Sequence, residues 1–399
     1  MKILKAKAQS VKIGEFEVGP GKPCFVIAEA GVNHNGDVAL AKKQIDAAKK
    51  AQATTVKFHA SKTNEIFIKE AGLPKYVKEN VGGKQSFYDL AEGFRLEDDE
   101  LKELKEYCEK VGIMFSLTPY GQHGIKIMKD LNVDFFKIGS THVDCTPLTK
   151  MIARTKKPIV LSSGMSTLKD IESAIQDIKE EGNDQIVLLH CTTNYPCPFE
   201  QVNLAVMKTF QEKFGLPIGY SDHTEGIVVP IMAVMLGAVL IEKHFTLDRN
   251  MKGPDHKASL ESDELKTMMK AIRYFEKYRD KFSNLYEAVE KLKDKFQPKE
   301  IKDFSSKEIK KLVDLIIGDE NKKLTASEAT IKPQARTSIV SAVAIPKGTI
   351  ITEEMLKYTR PGTGMSPRKY KELVGQKSSV NIPVDKLFNL KGGVISFVE

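Results

Sequence analysis

The chain has 399 residues, 41% of them apolar, enough for one large domain and a small one with ample core. Its 61 basic and 53 acidic side chains leave a net charge of +8; the excess is spread over lysine-rich helices, without the arginine and aromatic stripe of a nucleic-acid surface, and suits a phosphorylated substrate. Five cysteines with no CxxC pair and no run of 18 apolar residues exclude a disulfide scaffold, a thiolate zinc site and a membrane span, and the expected setting is reducing and cytoplasmic.

Residues 9–20 alternate apolar and polar around Gly14, the pattern of a short hairpin expected to cap the bottom of the domain that follows. Short apolar runs then alternate with amphipathic helices. The runs are Phe25–Ala28, Thr55–Phe58, Ile113–Phe115, Phe135–Ile138, Ile159–Leu161, Ile186–Leu189, Pro217–Tyr220 and Val239–Ile241. Helices expected between them include Val38–Ala51, Asp98–Lys110, Gly124–Leu131, Pro147–Thr155, Thr167–Glu181 and Leu204–Phe214. Eight such units within about 260 residues are the arithmetic of a (β/α)8 TIM barrel. An open doubly wound sheet is the other arrangement to weigh, but no glycine-rich nucleotide turn follows a strand, and Gly362–Gly364 is too short a pattern in the wrong place.

A barrel of this kind carries its chemistry at the carboxyl ends of its strands. Those ends hold Glu29, Lys57, Thr118, Lys137 with Ser140, Ser162 with Ser163, His190 with Thr192 and Tyr195, Ser221 with His223, and Glu242 with His244. Two lysines among several hydroxyls suit a phosphate ester, since lysine supplies point charge and hydroxyls supply donors. Salt bridges inside the barrel are the plainer role for either lysine alone. His223 and His244 stand 21 residues apart, the length of one strand–helix–strand unit, so both imidazoles should point to the same end of the sheet. With Asp222, Glu242 and Asp255 close in sequence, the pair is a candidate site for a divalent metal, against the alternative of two core histidines.

From Ser262 the chain turns helical and lysine-rich. Leu285, Val289, Leu292 and Phe296 mark one helix ended by Pro298; Ser305 with Glu308 forms a capping-box start for another through Ile317, stopped by Gly318. Their apolar stripes should cover the barrel or a partner subunit. Lys323–Thr337 reads as a linker. Beyond it, β-like runs (Ile339–Ala344, Val380–Ile382) and two short helical stretches (Thr352–Leu356, Arg368–Leu373) make a small domain. The expected division is barrel 1–282, helical insertion and linker 283–337, small domain 338–399.

The motifs FVIAEAGVNHNGD (25–37), FFKIGS (135–140), LSSGM (161–165), LLHCTTNYPCP (188–198), IGYSDHT (218–224), EKHFT (242–246) and GPDHKASL (253–260) together resemble the sialic acid (N-acetylneuraminate) synthase family. The last domain, with TRPGTGMSP at 359–367, resembles that family's antifreeze-like (SAF) module. The resemblance implies condensation of phosphoenolpyruvate with an open-chain N-acylated mannosamine-type sugar, with manganese, magnesium or cobalt as the divalent metal. It implies His223 and His244 as metal ligands, and Lys57, Thr118, Lys137, Ser140, Ser162 and Ser221 around phosphoenolpyruvate. It further implies Glu29 as the residue handling water, Glu242 and Asp255 beside the metal or sugar hydroxyls, and Tyr195 at the sugar. Arg360 would reach the N-acyl group from the small domain of a partner, making the protein a domain-swapped homodimer.

The chain departs from the family pattern at His59 and at Thr141–Asp144, both on the sugar side. These changes admit a 2,4-diacetamido-6-deoxy acceptor leading to legionaminate or pseudaminate. A synthase acting on a phosphorylated sugar would want arginines that the strand ends lack. A carbohydrate-binding or coat-assembly protein without turnover is the rival of another class, and the retained Glu29, Lys57 and histidines oppose it.

Overall fold

The computed structural model describes residues 8–69, 86–391 and 394–397. β1 (Val11–Ile13) and β2 (Phe16–Val18) pair antiparallel through a turn at Gly14, whose φ of +56° favours glycine. Eight parallel strands follow: β3 (Phe25–Gly31), β4 (Thr55–Ala60), β5 (Met114–Pro119), β6 (Phe136–Ile138), β7 (Ile159–Ser162), β8 (Ile186–Cys191), β9 (Ile218–Asp222) and β10 (Leu240–Thr246). Their order is β5-β4-β3-β10-β9-β8-β7-β6, so the first and last barrel strands pair with each other and the sheet wraps round. β5 and β6 lie side by side at the seam without a regular ladder. The expected TIM barrel is thus nearly closed. β11 (Leu260–Glu261) extends the sheet beside β10.

Side-chain alternation decides what each strand residue does. Phe25, Ile27, Phe135, Val160, Val187, Leu189 and Leu240 point inward and form one apolar cluster with Val11, Ile13 and Val18 of the hairpin. The hairpin therefore plugs the amino-terminal end of the barrel. The inward positions nearer the carboxyl ends are polar on seven strands and Cys191 on β8, and the same parity that seals the bottom opens a site at the top. Outward residues such as Val26, Val56, Ile138, Leu161 and Leu188 join the larger core beneath the helices.

Val228–Leu236 is buried on every side, which a helix exposed on one face could not be. The helices Ser262–Tyr278 and Leu285–Phe296 cover it, and Ser306–Ile317 packs on the latter, so the lysine-rich insertion clothes its own barrel. The stretch 323–337 is not a plain linker. Thr325 and Glu328 cap a helix, Ala326–Ala335. In the small domain β12 (Ser338–Ser341) pairs β13 (Leu356–Thr359), and β14 (Phe388–Lys391) pairs β15 (Val394–Phe397). The helical stretch expected at 352–356 is a single turn at Glu353–Met355 that leads straight into β13. Ile382 contributes only an isolated bridge to Ile345. The domain docks over the barrel mouth through Phe67, Ile68, Val340 and Leu387, and Arg360 exchanges backbone hydrogen bonds with Ile66 and Ile68.

Candidate active site

One cavity of about 210 Å³ lies at the carboxyl ends of the strands. Inward residues of β3 to β7 bring Glu29, Lys57, Thr118, Lys137 and Ser162 to it, and β9 and β10 bring Ser221, Glu242 and His244. Ser140, Tyr195, His223 and Asp255 enter from the loops after β6, β8, β9 and β10, and Arg360 from the small domain of the same chain. These residues, all singled out from the sequence, thus face one space, which Ser163, His190, Thr192 and Asp222 do not line. Gly31 follows a bulge in β3 with φ +54°; a Cβ there would sit 3.2 Å from Glu29 Oε1 and 3.5 Å from the His244 ring.

Four charges are buried side by side. Lys57 Nζ pairs with Glu29 Oε2, donates to Thr118 Oγ1 at 2.6 Å, and lies 3.7 Å from Glu242 Oε2. Lys137 Nζ donates to Glu242 Oε1 and to Ser162 Oγ, both at 2.8 Å, and Ser221 Oγ donates to the same Glu242 oxygen at 3.0 Å. Burial opposes ionisation of Glu29, but Lys57 and His59, the latter 3.2 Å from Oε1, hold its carboxyl below the usual range. Glu242 is likewise held well below the usual range: burial opposes its charge, and Lys137 and Lys57 outweigh that. Asp255 goes the other way, because burial pushes its carboxyl up more than His59 draws it down. Carboxyls driven apart in this way are the signature of divided acid–base labour.

The His223 and His244 rings stand 5.7 Å apart, with the Tyr195 ring 4.1 Å from the first and 5.6 Å from the second. His223 Nδ1 is 2.8 Å from the Thr192 carbonyl, which can only accept, so Nδ1 carries a proton and Nε2 is the nitrogen left for a cation; burial opposes a charge on this ring, but Cys191 and that carbonyl outweigh it, so a cation at Nε2 competes with a second proton. Burial pushes His244 down to about 3, against the pull of Glu29, and its Nδ1 has no hydrogen-bond partner among the described residues. Two neutral-capable imidazole nitrogens facing one space fit a divalent cation. Among the described residues no three His, Cys, Asp or Glu side chains converge as a ready-made ligand set, so remaining positions would fall to water or substrate oxygens.

Comparison with known proteins decides the kinship. A profile of the NeuB family matches residues 44–284, and one of the SAF domain matches residues 336–387. The chain belongs to the NeuB family. It is 37% identical over 368 residues to N,N'-diacetyllegionaminic acid synthase of Campylobacter jejuni, covering 92% of this chain and 99% of that one. Human N-acetylneuraminate-9-phosphate synthase is 33% identical over 380 residues, covering 93% and 94%. The crystal structure of spore coat polysaccharide biosynthesis protein SpsE from Bacillus subtilis superposes with a TM-score of 0.75 at 31% identity, covering 94% of this chain and 97% of that one. As a NeuB-family member the chain is a phosphoenolpyruvate-dependent transferase that forms a carbon–carbon bond. The non-catalytic alternative falls with that assignment.

Within this NeuB-family site two sequence expectations need correction. His190 lies one residue before the end of β8 and points outward: Nε2 lies 2.7 Å from the Val202 carbonyl and the ring packs on Phe210 and Tyr220, because Leu189 and Cys191 hold the inward positions. Asp222 likewise faces out from β9, where Lys243 and Thr224 occupy its carboxylate, so it is no metal ligand. Arg360 reaches the pocket of its own chain, where the resemblance implied a partner's. Its guanidinium stacks over Phe67 and Tyr120 at 5.2 and 5.6 Å and donates to Thr141 Oγ1 at 2.9 Å. Tyr120 also contacts His59 and His142, at 5.0 and 5.5 Å. Of the two unassigned histidines, His59 pairs with Glu29, and His142 is buried, pushed down to about 3 by burial and the charge of Arg360. Sequence reasoning passed over Tyr120, and over Ile331 and Ala335, which the helix Ala326–Ala335 adds to the wall.

Proposed function

We propose that the protein is a nonulosonic acid synthase that joins phosphoenolpyruvate, an open-chain N-acylated mannosamine-type sugar and water into a nine-carbon α-keto acid, N-acetylneuraminate or a close relative, and inorganic phosphate. The observation that carries this is the pair of buried lysines, Lys57 and Lys137, ringed by Thr118, Ser140, Ser162 and Ser221 in the cavity that also holds two imidazoles. Lysine charge and hydroxyl donors hold the phosphate and carboxylate of phosphoenolpyruvate. Its methylene carbon bonds to the sugar aldehyde carbon, whose oxygen takes up a proton. Water adds at the former enol carbon, and loss of phosphate by C–O cleavage leaves the ketone. Glu29, ionised against Lys57, suits acceptance of the proton from that water; Asp255, held above the usual range, suits proton delivery beside the sugar.

His223 and His244 would hold a divalent cation, manganese in this reading, which when bound polarises the aldehyde oxygen as a Lewis acid. Charge balance supports a cation. Lys57 and Lys137 are already matched by Glu29 and Glu242, so a trianionic ligand needs further positive charge. Arg360 and Tyr195 would face the acceptor. A cytoplasmic location fits a consumer of phosphoenolpyruvate, and no described helix is long and apolar enough to cross a membrane. A domain-swapped homodimer remains part of the proposal. Because Gly362 N donates to the Pro333 carbonyl at 2.8 Å, exchange would carry the helix Ala326–Ala335 along and remake the same contacts in trans. Light scattering of the purified protein tests it.

A second reading of the acceptor has its own support. Ile66, Phe67, Leu90, Ala91, Phe94 and Leu96 make one wall of the cavity apolar, and Arg95 beside them pairs with Glu92 and Glu97. Such a wall suits the methyl group of a 2,4-diacetamido-2,4,6-trideoxy sugar and offers little to a sugar phosphate. This favours a legionaminate-type product; the altrose-type sugar leading to pseudaminate is the remaining variant. Phosphate release from phosphoenolpyruvate with manganese, offered each acceptor in parallel and with products weighed by mass spectrometry, tests the reading. Silence with N-acetylmannosamine and both diacetamido sugars would overturn it.

A further inference from the structure

The helix Ala326–Ala335 does more than join two domains. Glu328 is completely buried, an unusual place for a carboxylate unless it is well bonded. Its Oε1 accepts from Met165 N at 2.7 Å and from Thr193 N at 3.0 Å, while Oε2 accepts from Thr325 N at 3.1 Å. Burial opposes its charge, but buried Lys322 and these three backbone donors keep the carboxyl below its usual range. Met165 is a non-glycine residue with φ +55°, a conformation that costs free energy and needs outside support. The support is double: Glu328 takes its N–H, and Arg336 at the end of the same helix donates to its carbonyl at 2.8 Å.

The two loops that Glu328 joins are those of the site. Gly164, next to Met165, donates to Ser140 Oγ at 3.0 Å and is packed so tightly that a Cβ would lie 2.1 Å from Thr193 Oγ1 and 2.6 Å from Ser140 Oγ. Two residues earlier Ser162 accepts from Lys137. On the other loop, Thr193 follows Thr192, whose carbonyl accepts from His223 Nδ1. We propose that Glu328 is a positioning residue for the barrel's chemistry: its one carboxylate locks the loop after β7 to the loop after β8. It thereby holds Ser140 against Gly164 and steadies Ser162, the acceptor from Lys137, on one side, and the tautomer-setting carbonyl of Thr192 on the other. The inference rests on the reading of this cavity as the synthase site.

The test uses the full-length protein with Glu328→Ala and Glu328→Gln, read by hydrogen exchange and by turnover. In the wild type, peptides spanning 163–167 and 192–196 should exchange slowly for loops. Glu328→Ala should release both together, leave the peptide 228–236 protected, and lower kcat by about 10- to 100-fold, the usual effect of removing a partner behind a liganding group. Glu328→Gln keeps an acceptor oxygen and should keep both the protection and most of kcat, a rescue that a need for charge alone would not allow. Unchanged kcat in a folded Glu328→Ala protein, or release of only one loop, overturns the proposal. Should the alanine variant not fold, fast exchange of both loops in the wild type overturns it by itself. Absence of turnover in the wild type would instead defeat the synthase reading, and the exchange results would then judge the loop lock alone.

Discussion

Replacing Lys137 separates a ligand-binding lysine from a structural one. Its Nζ is 2.8 Å from Glu242 Oε1, and the two side chains are only 4% and 8% exposed. Lys137→Met keeps the bulk of the side chain and removes the charge, leaving Glu242 with Ser221 at 3.0 Å and Lys57 at 3.7 Å. Breaking a buried pair costs about 3–5 kcal/mol, and the residual Lys57 contact argues for the low end, about 3 kcal/mol. With unfolding entropy of about 2.1 cal/mol/K per residue over a barrel of roughly 280 residues, that lowers Tm by about 5 °C. Lys137→Met with Glu242→Leu removes both charges and should restore Tm to within about 2 °C of wild type. Affinity for phosphoenolpyruvate should not return: loss of a charged hydrogen bond worth about 1.5–3 kcal/mol weakens binding roughly 10- to 100-fold in both variants. Thermal denaturation and calorimetric titration read the two effects separately. A double variant as unstable as the single one would refute the pairing argument. Undiminished phosphoenolpyruvate binding in Lys137→Met would show Lys137 to be a barrel salt bridge and nothing more.

Burial holds His190 and His142 down to about 3, well below the value of about 6.5 in an unfolded chain. The folded protein therefore resists a proton that the unfolded chain accepts, so this stability is complete above about pH 6.5 and is lost as pH falls toward 3, at about 1.4 kcal/mol per unit for each histidine. His190→Gln, followed by urea unfolding between pH 5.5 and 4.5, should flatten the slope by about one proton; an unchanged slope would contradict the burial argument. His223→Ala should abolish metal-dependent turnover and weaken manganese binding measured by titration while the fold persists, and an active variant would remove His223 from the metal site. Arg360→Ala should raise KM for the acceptor with little effect on that for phosphoenolpyruvate, whereas unchanged acceptor kinetics would place the arginine outside the sugar pocket.

The eight strands and the polar residues at their carboxyl ends were legible in the chain because both are local patterns. Short apolar runs of three or four residues and the step of two that separates Leu240 from Glu242 and His244 need no tertiary knowledge. What parity alone could not say is which of two alternating faces points inward. His190 and Asp222 sit beside true site residues and belong to the outer face, a choice made only when the sheet closes on the hairpin plug. The helix Ala326–Ala335 escaped notice for a related reason. It has no apolar stripe, contains Pro333, and is held by a buried carboxylate to backbone groups at Met165 and Thr193, far away in sequence. The depressed carboxyls of Glu29 and Glu242, the raised one of Asp255 and the placing of Arg360 over Tyr120 likewise arise from neighbours brought together by closure. Residue types and spacing settle which strands form and which groups reach the mouth. Charge state, tautomer and the grip of one loop on another depend on burial and on contacts between distant segments, and these exist only once the barrel has formed.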